Sequence, residues 1–212
     1  SVKLIKGKIF SYPQESIIDS IKRNVEHGCK ETWLTAQDTG AYGLDKGKRK
    51  LVNLLNEILE KVQGNYKIRL GMINPRHVMS MIDDLIQIYQ DDRMFKFLHI
   101  PIESGNNEIL GKMRRKYNIH EFKEAVNKFK RYVKDITIAS DMIVGFPTET
   151  ELQFQDSLHL IQEVKPDVLN IARFSARPNT AAARMKQFPD RIKKERSRAL
   201  TELYINLALK QN

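Results

Sequence analysis

The chain has 212 residues, of which 41% are hydrophobic and 29% charged, a balance typical of a soluble globular protein with one sizeable core or two small ones. No apolar run reaches the ~20 residues of a membrane span, no signal peptide opens the chain, and a single cysteine fits the reducing cytoplasm. The net charge of +10 favours a polyanionic partner such as nucleic acid, although a lysine-rich solvated surface gives the same sum.

Short apolar segments alternate with longer helical patterns along the chain. The first helix has no strand before it: Ser11 and Gln14 match a capping box, Pro13 suits the first helical turn, and Gly28 ends the helix. Five strands are predicted after it, each followed by a helix, at 32–35, 67–70, 95–100, 136–144 and 168–172. This alternation predicts a parallel sheet, either open and doubly wound or curled into a barrel.

Further helix starts are visible as capping boxes. The candidate pairs are Asn118 with Glu121, Thr148 with Glu151, and Thr150 with Gln153. The last two are alternatives for the helix after the fourth strand, and a strand that ends at a helix N-terminus suits a polar ligand. A long amphipathic helix follows Pro189, and its basic cluster at 191–198 is predicted to be a solvated face.

Every predicted strand is followed by a polar or glycine-containing loop. The polar residues are Gln37, Asp38, Asn74, Glu103, Ser104, Asp141, Arg173 and Ser175. The glycines stand at 40, 43, 71, 105 and 145, where they are expected to let the backbone approach a ligand. Because the loops after parallel strands gather at one rim, the sequence predicts a shared ligand site there.

Individual residues leave alternatives open. Glu103 is either an acceptor for two ribose hydroxyls or a cap on a helix that begins near Gly105. Asp141 is either a structural carboxylate or a ligand contact. His99 is expected to be packed, and Trp33 is expected in the core.

The sequence contains none of the common catalytic motifs. It has no Gly-x-Ser-x-Gly, no His-Glu-x-x-His, no phosphate-binding Gly-x-x-x-x-Gly-Lys and no cysteine pair for zinc. No metal ligand and no catalytic side chain is assigned. A polar rim without these groups indicates that a cofactor carries the difficult chemistry.

Four segments of the chain resemble radical S-adenosylmethionine methylthiotransferases. They are 31–43, 99–105 with 113–117, 141–150, and 174–185. The loop Gln37-Asp-Thr-Gly-Ala-Tyr-Gly43 is most similar to the archaeal and eukaryotic branch, which methylthiolates N6-threonylcarbamoyladenosine beside the tRNA anticodon. The alternatives are action on isopentenyladenosine tRNA or on a ribosomal protein, and a non-catalytic basic RNA-binding module.

The resemblance implies a partial, TIM-like (βα)6 radical SAM barrel whose first strand and cluster loop precede Ser1. Residues 1–212 then form the radical SAM core of a larger enzyme, without its N-terminal methylthiotransferase domain and its C-terminal TRAM domain. The implied cofactors are S-adenosylmethionine and a [4Fe–4S] cluster, with the cluster cysteines upstream of Ser1. The implied partners are tRNA and a reductant for the cluster, and the chain alone is expected to be inactive.

The resemblance also assigns residues to S-adenosylmethionine. Gln37 and Asp38 are expected near the methionyl amino group. Glu103 and Ser104 are expected near the ribose. Arg115 is expected to pair with the carboxylate, whose planar geometry suits a guanidinium.

The adenine is expected against the ends of the fourth and fifth strands. The residues concerned are Asp141, Ile143, Val144 and Arg173. Two positions depart from the family pattern, since Glu103 stands where Gln is usual and Asn179 where Gly is usual. Asparagine tolerates positive φ, so the turn at Asn179 is expected to survive.

The implied reaction begins with reductive cleavage of S-adenosylmethionine to a 5′-deoxyadenosyl radical, which removes hydrogen from C2 of the modified adenine. Sulfur from an auxiliary cluster and a methyl group from a second S-adenosylmethionine complete the product. A barrel aldolase or isomerase is a further alternative, but the sequence offers no good candidate for an interior lysine or a carboxylate pair.

Overall fold

A computed structural model describes residues 7–211 and contains five parallel strands within them. The strands are β1 Glu31–Leu34, β2 Lys67–Leu70, β3 Phe97–His99, β4 Thr137–Val144 and β5 Val168–Arg173. The helices are α1 Gln14–Glu26, α2 Leu51–Lys61, α3 Pro75–Met79, α4 Ile82–Ile88, α5 Asn107–Lys112, α6 Ile119–Tyr132, α7 Glu151–Val164 and α8 Asp190–Gln211. All five predicted strands are therefore confirmed, with small differences at their ends.

The strands are arranged in chain order. β1 pairs with β2, and β4 lies between β3 and β5, with every pair parallel. The two groups are joined where Ile68 bridges Met94 and where the Ile73 N–H donates to the His99 carbonyl at 2.9 Å. A doubly wound sheet reverses its strand order at a switch point, so the uninterrupted order β1 to β5 decides for the barrel arrangement.

The helices cover one face of these strands. Alternate strand residues such as Ile68, Leu98, Ile138 and Met142 are fully buried in a single core that the helices complete. The other set of alternate residues faces the inside of the barrel. The strand face that remains accessible is therefore this inner one.

Trp33 belongs to the inner face, and the prediction that it lies in the core was wrong. Its side chain is 57% exposed, and the Arg69 guanidinium lies 4.5 Å from the centre of its ring and 4.2 Å from that of Phe97. The alternation of a strand places Trp33 and Leu34 on opposite faces. Only Leu34 packs against the core.

Two capping predictions are confirmed and two are wrong. Asn118 and Thr150 each form a complete capping box with the residue three positions on. Thr148 instead lies in the preceding loop with a φ of +73°, so the helix does not start there. Ser11 caps no helix, because its hydroxyl accepts from the Gly43 N–H and donates to Asp45.

One further sequence expectation is met within residues 7–211. Asn179 has a φ of +63°, in the left-handed region that the expected turn requires. None of the helices in this part of the chain combines the length and the apolar character needed to cross a membrane.

Candidate functional site at the carboxyl rim

Glu103 is the central side chain of the rim. Its backbone extends the pairing of β3 with β4, since its N–H donates to the Asp141 carbonyl (2.8 Å) and its carbonyl accepts from the Ile143 N–H (2.9 Å). Its φ is +70°, a conformation that costs a non-glycine residue about 1–2 kcal/mol. Strain of this kind is concentrated at functional sites, so it supports a site here.

The Glu103 carboxylate is buried and forms an ion pair with Arg115. Burial raises the pKa of Glu103, and the nearby Asp141 raises it further, while Arg115 and His99 oppose the rise. The alternative that Glu103 caps the next helix was wrong. Asn106 caps α5 instead, accepting from the N–H groups of Glu108 and Ile109.

His99, Asp141 and Asn170 form a hydrogen-bonded group on the inner face. His99 Nε2 lies 2.8 Å from Asp141 Oδ2, and Asn170 Nδ2 donates to Asp141 Oδ1 at 2.7 Å. Burial raises the pKa of Asp141, but the hydrogen bonds from His99 and Asn170 outweigh it and hold that pKa below its usual value. The group therefore presents an ionised, oriented carboxylate beside Glu103.

Sequence reasoning missed Asn170 and assigned His99 to packing, without its hydrogen bond to Asp141. The alternation of β3 gives His99 the same orientation as Phe97, and Asn170 pairs directly with Asp141 in the β4–β5 register. The alternation of side chains along each strand can be read from the sequence. Only the register between strands showed that three polar side chains from three strands meet.

Gln37 and Asp38 lie on the loop after β1, as expected. Gln37 is exposed. The Asp38 carboxylate accepts from the N–H groups of Gly40 (3.1 Å) and Asn74 (3.3 Å), and it lies 3.5 Å from Nε2 of the buried His77. Asp38 therefore ties the loop after β1 to the loop after β2, and its oxygens already have local partners.

The remaining predicted residues divide by the direction of their side chains. Ile143 is half-buried, and Arg173 is exposed where β5 ends beside Val144. The Ser104 and Val144 side chains are buried, and the Ser104 hydroxyl accepts from the Asn106 N–H at 3.3 Å. Ser104 and Val144 consequently offer their backbone, but not their side chains, to a ligand.

Two of the rim glycines are required by the packing of the protein. A Cβ on Gly40 would lie 2.4 Å from the His77 Cβ, and one on Gly105 would lie 2.3 Å from the Ser157 Cα. In both cases the nearest atoms belong to the protein itself. Packing alone therefore requires glycine at these two positions.

The loop between β4 and α7 is filled by the chain's own groups. The Glu149 carboxylate accepts from the Gly145 N–H (2.8 Å) and from Arg196 Nη1 (2.6 Å). Glu149 and Arg196 are 0% and 7% exposed, so this member of the 191–198 cluster is buried and not solvated as predicted. A carboxylate of the protein thus occupies the place where the sequence predicts a polar ligand.

The described residues fit one of the two implied cofactors. Residues 7–211 contain no cluster of three or more His, Cys, Asp or Glu side chains placed to hold a metal ion. Cys29 precedes β1, at the end of the strands opposite the rim. In contrast, the carboxylates, guanidinium and backbone groups at the rim match the charged and hydroxyl groups of S-adenosylmethionine.

Parallel strands in chain order, helices on the outer face and a polar carboxyl rim define a TIM-like barrel with its candidate ligand site at that rim. The sequence profile of the Radical SAM superfamily matches residues 3–161. The chain therefore belongs to the Radical SAM superfamily, whose members use S-adenosylmethionine and a [4Fe–4S] cluster.

Curated relatives narrow the similarity to one group within this superfamily. The probable threonylcarbamoyladenosine tRNA methylthiotransferase of Archaeoglobus fulgidus is 45% identical over 212 residues, which cover all of this chain and 50% of that protein. The human threonylcarbamoyladenosine tRNA methylthiotransferase is 39% identical over 202 residues, covering 95% of this chain and 35% of that protein. The predicted resemblance is confirmed, and the chain spans half or less of the length of these relatives.

A solved structure supports the fold. Coproporphyrinogen III oxidase from Escherichia coli, a radical SAM enzyme, superimposes with a TM-score of 0.62 over 92% of this chain and 48% of its own. The identity is 18%. At this identity the likeness supports the radical SAM fold alone.

Proposed function

We propose that this chain is the barrel of a radical SAM enzyme that adds a methylthio group to C2 of N6-threonylcarbamoyladenosine in tRNA. The observation that carries the proposal is the buried, strained Glu103 paired with Arg115 at the carboxyl rim. It lies in a chain whose whole length is similar to the Archaeoglobus relative. The substrate is inferred from the names of the relatives.

The rim residues divide the binding of S-adenosylmethionine among them. Arg115 pairs with the methionyl carboxylate, which its planar guanidinium matches. Glu103 accepts from the ribose hydroxyls, and its neighbour Ser104 contributes backbone. Gln37 and Asp38 lie on the side of the methionyl amino group.

The ends of β4 and β5 form the adenine wall. Ile143 contributes its side chain and Val144 its backbone, while Asp141 is held in one orientation by His99 and Asn170. Arg173 closes this wall where β5 ends. When bound, the cofactors supply the radical chemistry, and the barrel positions the reacting groups and excludes water.

The whole protein supplies what these residues do not. We place the cluster ligands in a segment preceding Ser1 and treat residues 1–212 as one domain of a longer enzyme, because the relatives are about twice as long or longer. Such an enzyme needs a reductant for its cluster. The cytoplasm is the proposed location, because the single cysteine of the chain suits a reducing compartment.

The cofactor site is tested by binding, without turnover. Equilibrium dialysis of S-adenosylmethionine against the anaerobically reconstituted full-length protein compares wild type with Arg115→Met. Losing a charge-assisted bidentate contact is expected to weaken binding on the order of 10-fold or more. Arg131→Met is the matched control, since Arg131 is an exposed residue that stacks on Tyr132 in the last turn of α6. Equal affinity in wild type and Arg115→Met would refute the site.

The substrate is tested separately by nucleoside mass spectrometry of tRNA from a deletion strain. The methylthio-threonylcarbamoyl nucleoside is expected to disappear and to return on complementation. Its persistence in the deletion strain would contradict the proposed substrate. Loss of a methylthio-isopentenyl nucleoside, or of a methylthio group on a ribosomal protein, would identify the alternative.

A further inference from the structure

Two large aromatic side chains stand exposed beside each other ahead of α1. Phe10 is 71% exposed and Tyr12 is 67% exposed. Their ring centres are 5.3 Å apart in an edge-to-face arrangement. Exposed aromatic surface is informative because folding normally buries it, and here two rings are held together without being covered by residues 7–211.

Ser11, between these aromatics, fastens them to the loop that follows β1. Its N–H donates to Asp45 Oδ2 (2.9 Å) and its hydroxyl donates to Asp45 Oδ1 (2.5 Å), while the Gly43 N–H donates to the Ser11 hydroxyl (2.8 Å). The Tyr42 hydroxyl also donates to the Tyr12 carbonyl at 2.9 Å. The aromatic pair is thereby attached at the carboxyl rim.

The same loop continues into a strongly basic segment. Residues 46–50 read Lys-Gly-Lys-Arg-Lys, and all five are exposed. Asp45, the acidic residue that directly precedes this segment, has its carboxylate hydrogen-bonded to Ser11, and those bonds lower the pKa of Asp45. Arg49 donates to the buried His77 at 3.2 Å, which leaves the three lysines as the outward cations of the segment.

The backbone of this basic segment is preorganised. Gly43 and Gly47 have φ values of +87° and +80°, and the N–H groups of Lys46 and Lys48 both donate to the Gly43 carbonyl. A Cβ on Gly43 would lie 2.4 Å from the Lys48 carbonyl oxygen, so the turn requires glycine. The lysines are therefore presented from a defined turn.

We propose that Phe10, Tyr12, Lys46, Lys48 and Lys50 form an aromatic–basic platform that binds unpaired RNA nucleotides flanking the nucleotide that enters the rim. Proteins that read single-stranded RNA stack bases on aromatic rings and hold the backbone with cations. Paired RNA shields its base faces and makes no use of exposed rings. The inference rests on the proposed function for its RNA substrate.

The charge distribution on the rim agrees with this orientation of the RNA. A second basic segment, 112–116, contains four lysines and arginines and includes Arg115 beside Glu103. The first segment lies on the connection from β1 to α2, and the second lies between α5 and α6, where Arg115 reaches Glu103 at the rim. An RNA strand that crosses the rim therefore meets cations from two different connections of the barrel.

The test measures RNA binding by the full-length protein with fluorescence anisotropy. The probes are an anticodon-type stem-loop and a fully paired duplex of the same composition. The variants are Phe10→Ala with Tyr12→Ala, and a triple change of Lys46, Lys48 and Lys50 to Gln. Tyr132→Ala is the aromatic control, because its ring is exposed on α6, away from the rim. A triple change of Lys22, Lys30 and Lys134 to Gln is the charge control.

The aromatic double variant is expected to weaken stem-loop binding roughly 5- to 100-fold, as expected for losing one stacked base, and to leave duplex binding unchanged. The lysine triple variant is expected to reduce the slope of log K against log salt by about 2, which corresponds to three phosphate contacts on a single strand. Both controls are expected to bind RNA with an affinity within about 2-fold of wild type, a smaller change than the least effect expected for the aromatic variant.

Equal weakening of stem-loop and duplex by the aromatic variant would overturn the stacking role. Unchanged RNA affinity with a lowered melting temperature would show that the rings instead contact another part of the protein, and it would also overturn the proposal. Binding is measured without turnover, so its outcome is independent of which nucleoside the enzyme modifies. Failure of the platform and failure of the proposed substrate are thus distinguishable.

Discussion

Replacing Arg196 with Met breaks the buried ion pair between Arg196 and Glu149, which lies in the loop before α7. The guanidinium donates to the Glu149 carboxylate and to its carbonyl (3.0 Å), and it lies between the rings of Phe154 and Phe188 at 5.3 and 5.1 Å. Glu149 in turn accepts from the Gly145 N–H. Arg196 on α8 therefore holds the loop that leads from the proposed adenine wall into α7.

The magnitude follows from burial. Glu149 is 0% exposed and Arg196 7%, and removing one partner of such a pair leaves an uncompensated buried charge at a cost of about 3–5 kcal/mol. For a chain of this size that corresponds to a fall in melting temperature of about 6–20 °C. Glu149 Oε1 and Arg196 Nε have no hydrogen-bond partner within residues 7–211, so changing both residues is expected to cost less than the single change.

The loss of stability in Arg196→Met is expected to depend on pH. Burial already raises the pKa of Glu149, against the Gly145 N–H and Arg196, and losing Arg196 raises it further. A carboxyl group whose pKa is raised in the folded state binds more protons when folded, so stability falls as the pH rises through that range. The Arg196→Met deficit is therefore smallest at acidic pH, where Glu149 is protonated, and largest at neutral pH.

Thermal unfolding of wild type, Arg196→Met, Glu149→Gln and the double variant at several pH values measures the effect and the coupling. Arg198→Met is the matched control, because Arg198 is exposed on the same helix. Hydrogen exchange at Gly145 reports whether the loop loosens. A pH-independent deficit below about 1 kcal/mol, the range of exposed ion pairs, would refute the reasoning.

Three further predictions concern packing, capping and the polar group of the inner face. Gly105→Ala is expected to cost about 1–3 kcal/mol in chemical denaturation, because its Cβ would collide with the backbone of α7, whereas Gly111→Ala, with open space around it, is expected to be neutral or stabilising. Asn118→Ala is expected to cost about 1 kcal/mol, since it removes a complete capping box; a loss below a few tenths would contradict this. His99→Phe is expected to raise the pKa of Asp141, followed by NMR. Above the unfolded pKa of 3.8, the lowered folded pKa of Asp141 contributes stability, which is lost as the pH falls through that folded pKa. His99→Phe is expected to make this contribution smaller. An unchanged stability at acidic pH would show that His99 does not lower the pKa of Asp141.

The sequence by itself determined the secondary structure and most of the rim. Strand positions follow from short apolar runs, and the starts of α6 and α7 follow from capping boxes whose partners lie three residues apart. Glu103 was visible because it follows the end of β3, and Asp141 because it is a carboxylate within the apolar run of β4. These features depend on neighbours in sequence, which is why pattern and spacing predict them.

Only the tertiary structure decided which groups meet. Strand order selected the barrel over the doubly wound sheet, and the register of β3, β4 and β5 brought His99, Asp141 and Asn170 together. Trp33 and Arg196 were misjudged because each is placed by contacts far along the chain. Whether an aromatic ring is exposed on an inner barrel face, or a guanidinium is buried between two rings, depends on long-range packing that local periodicity does not encode.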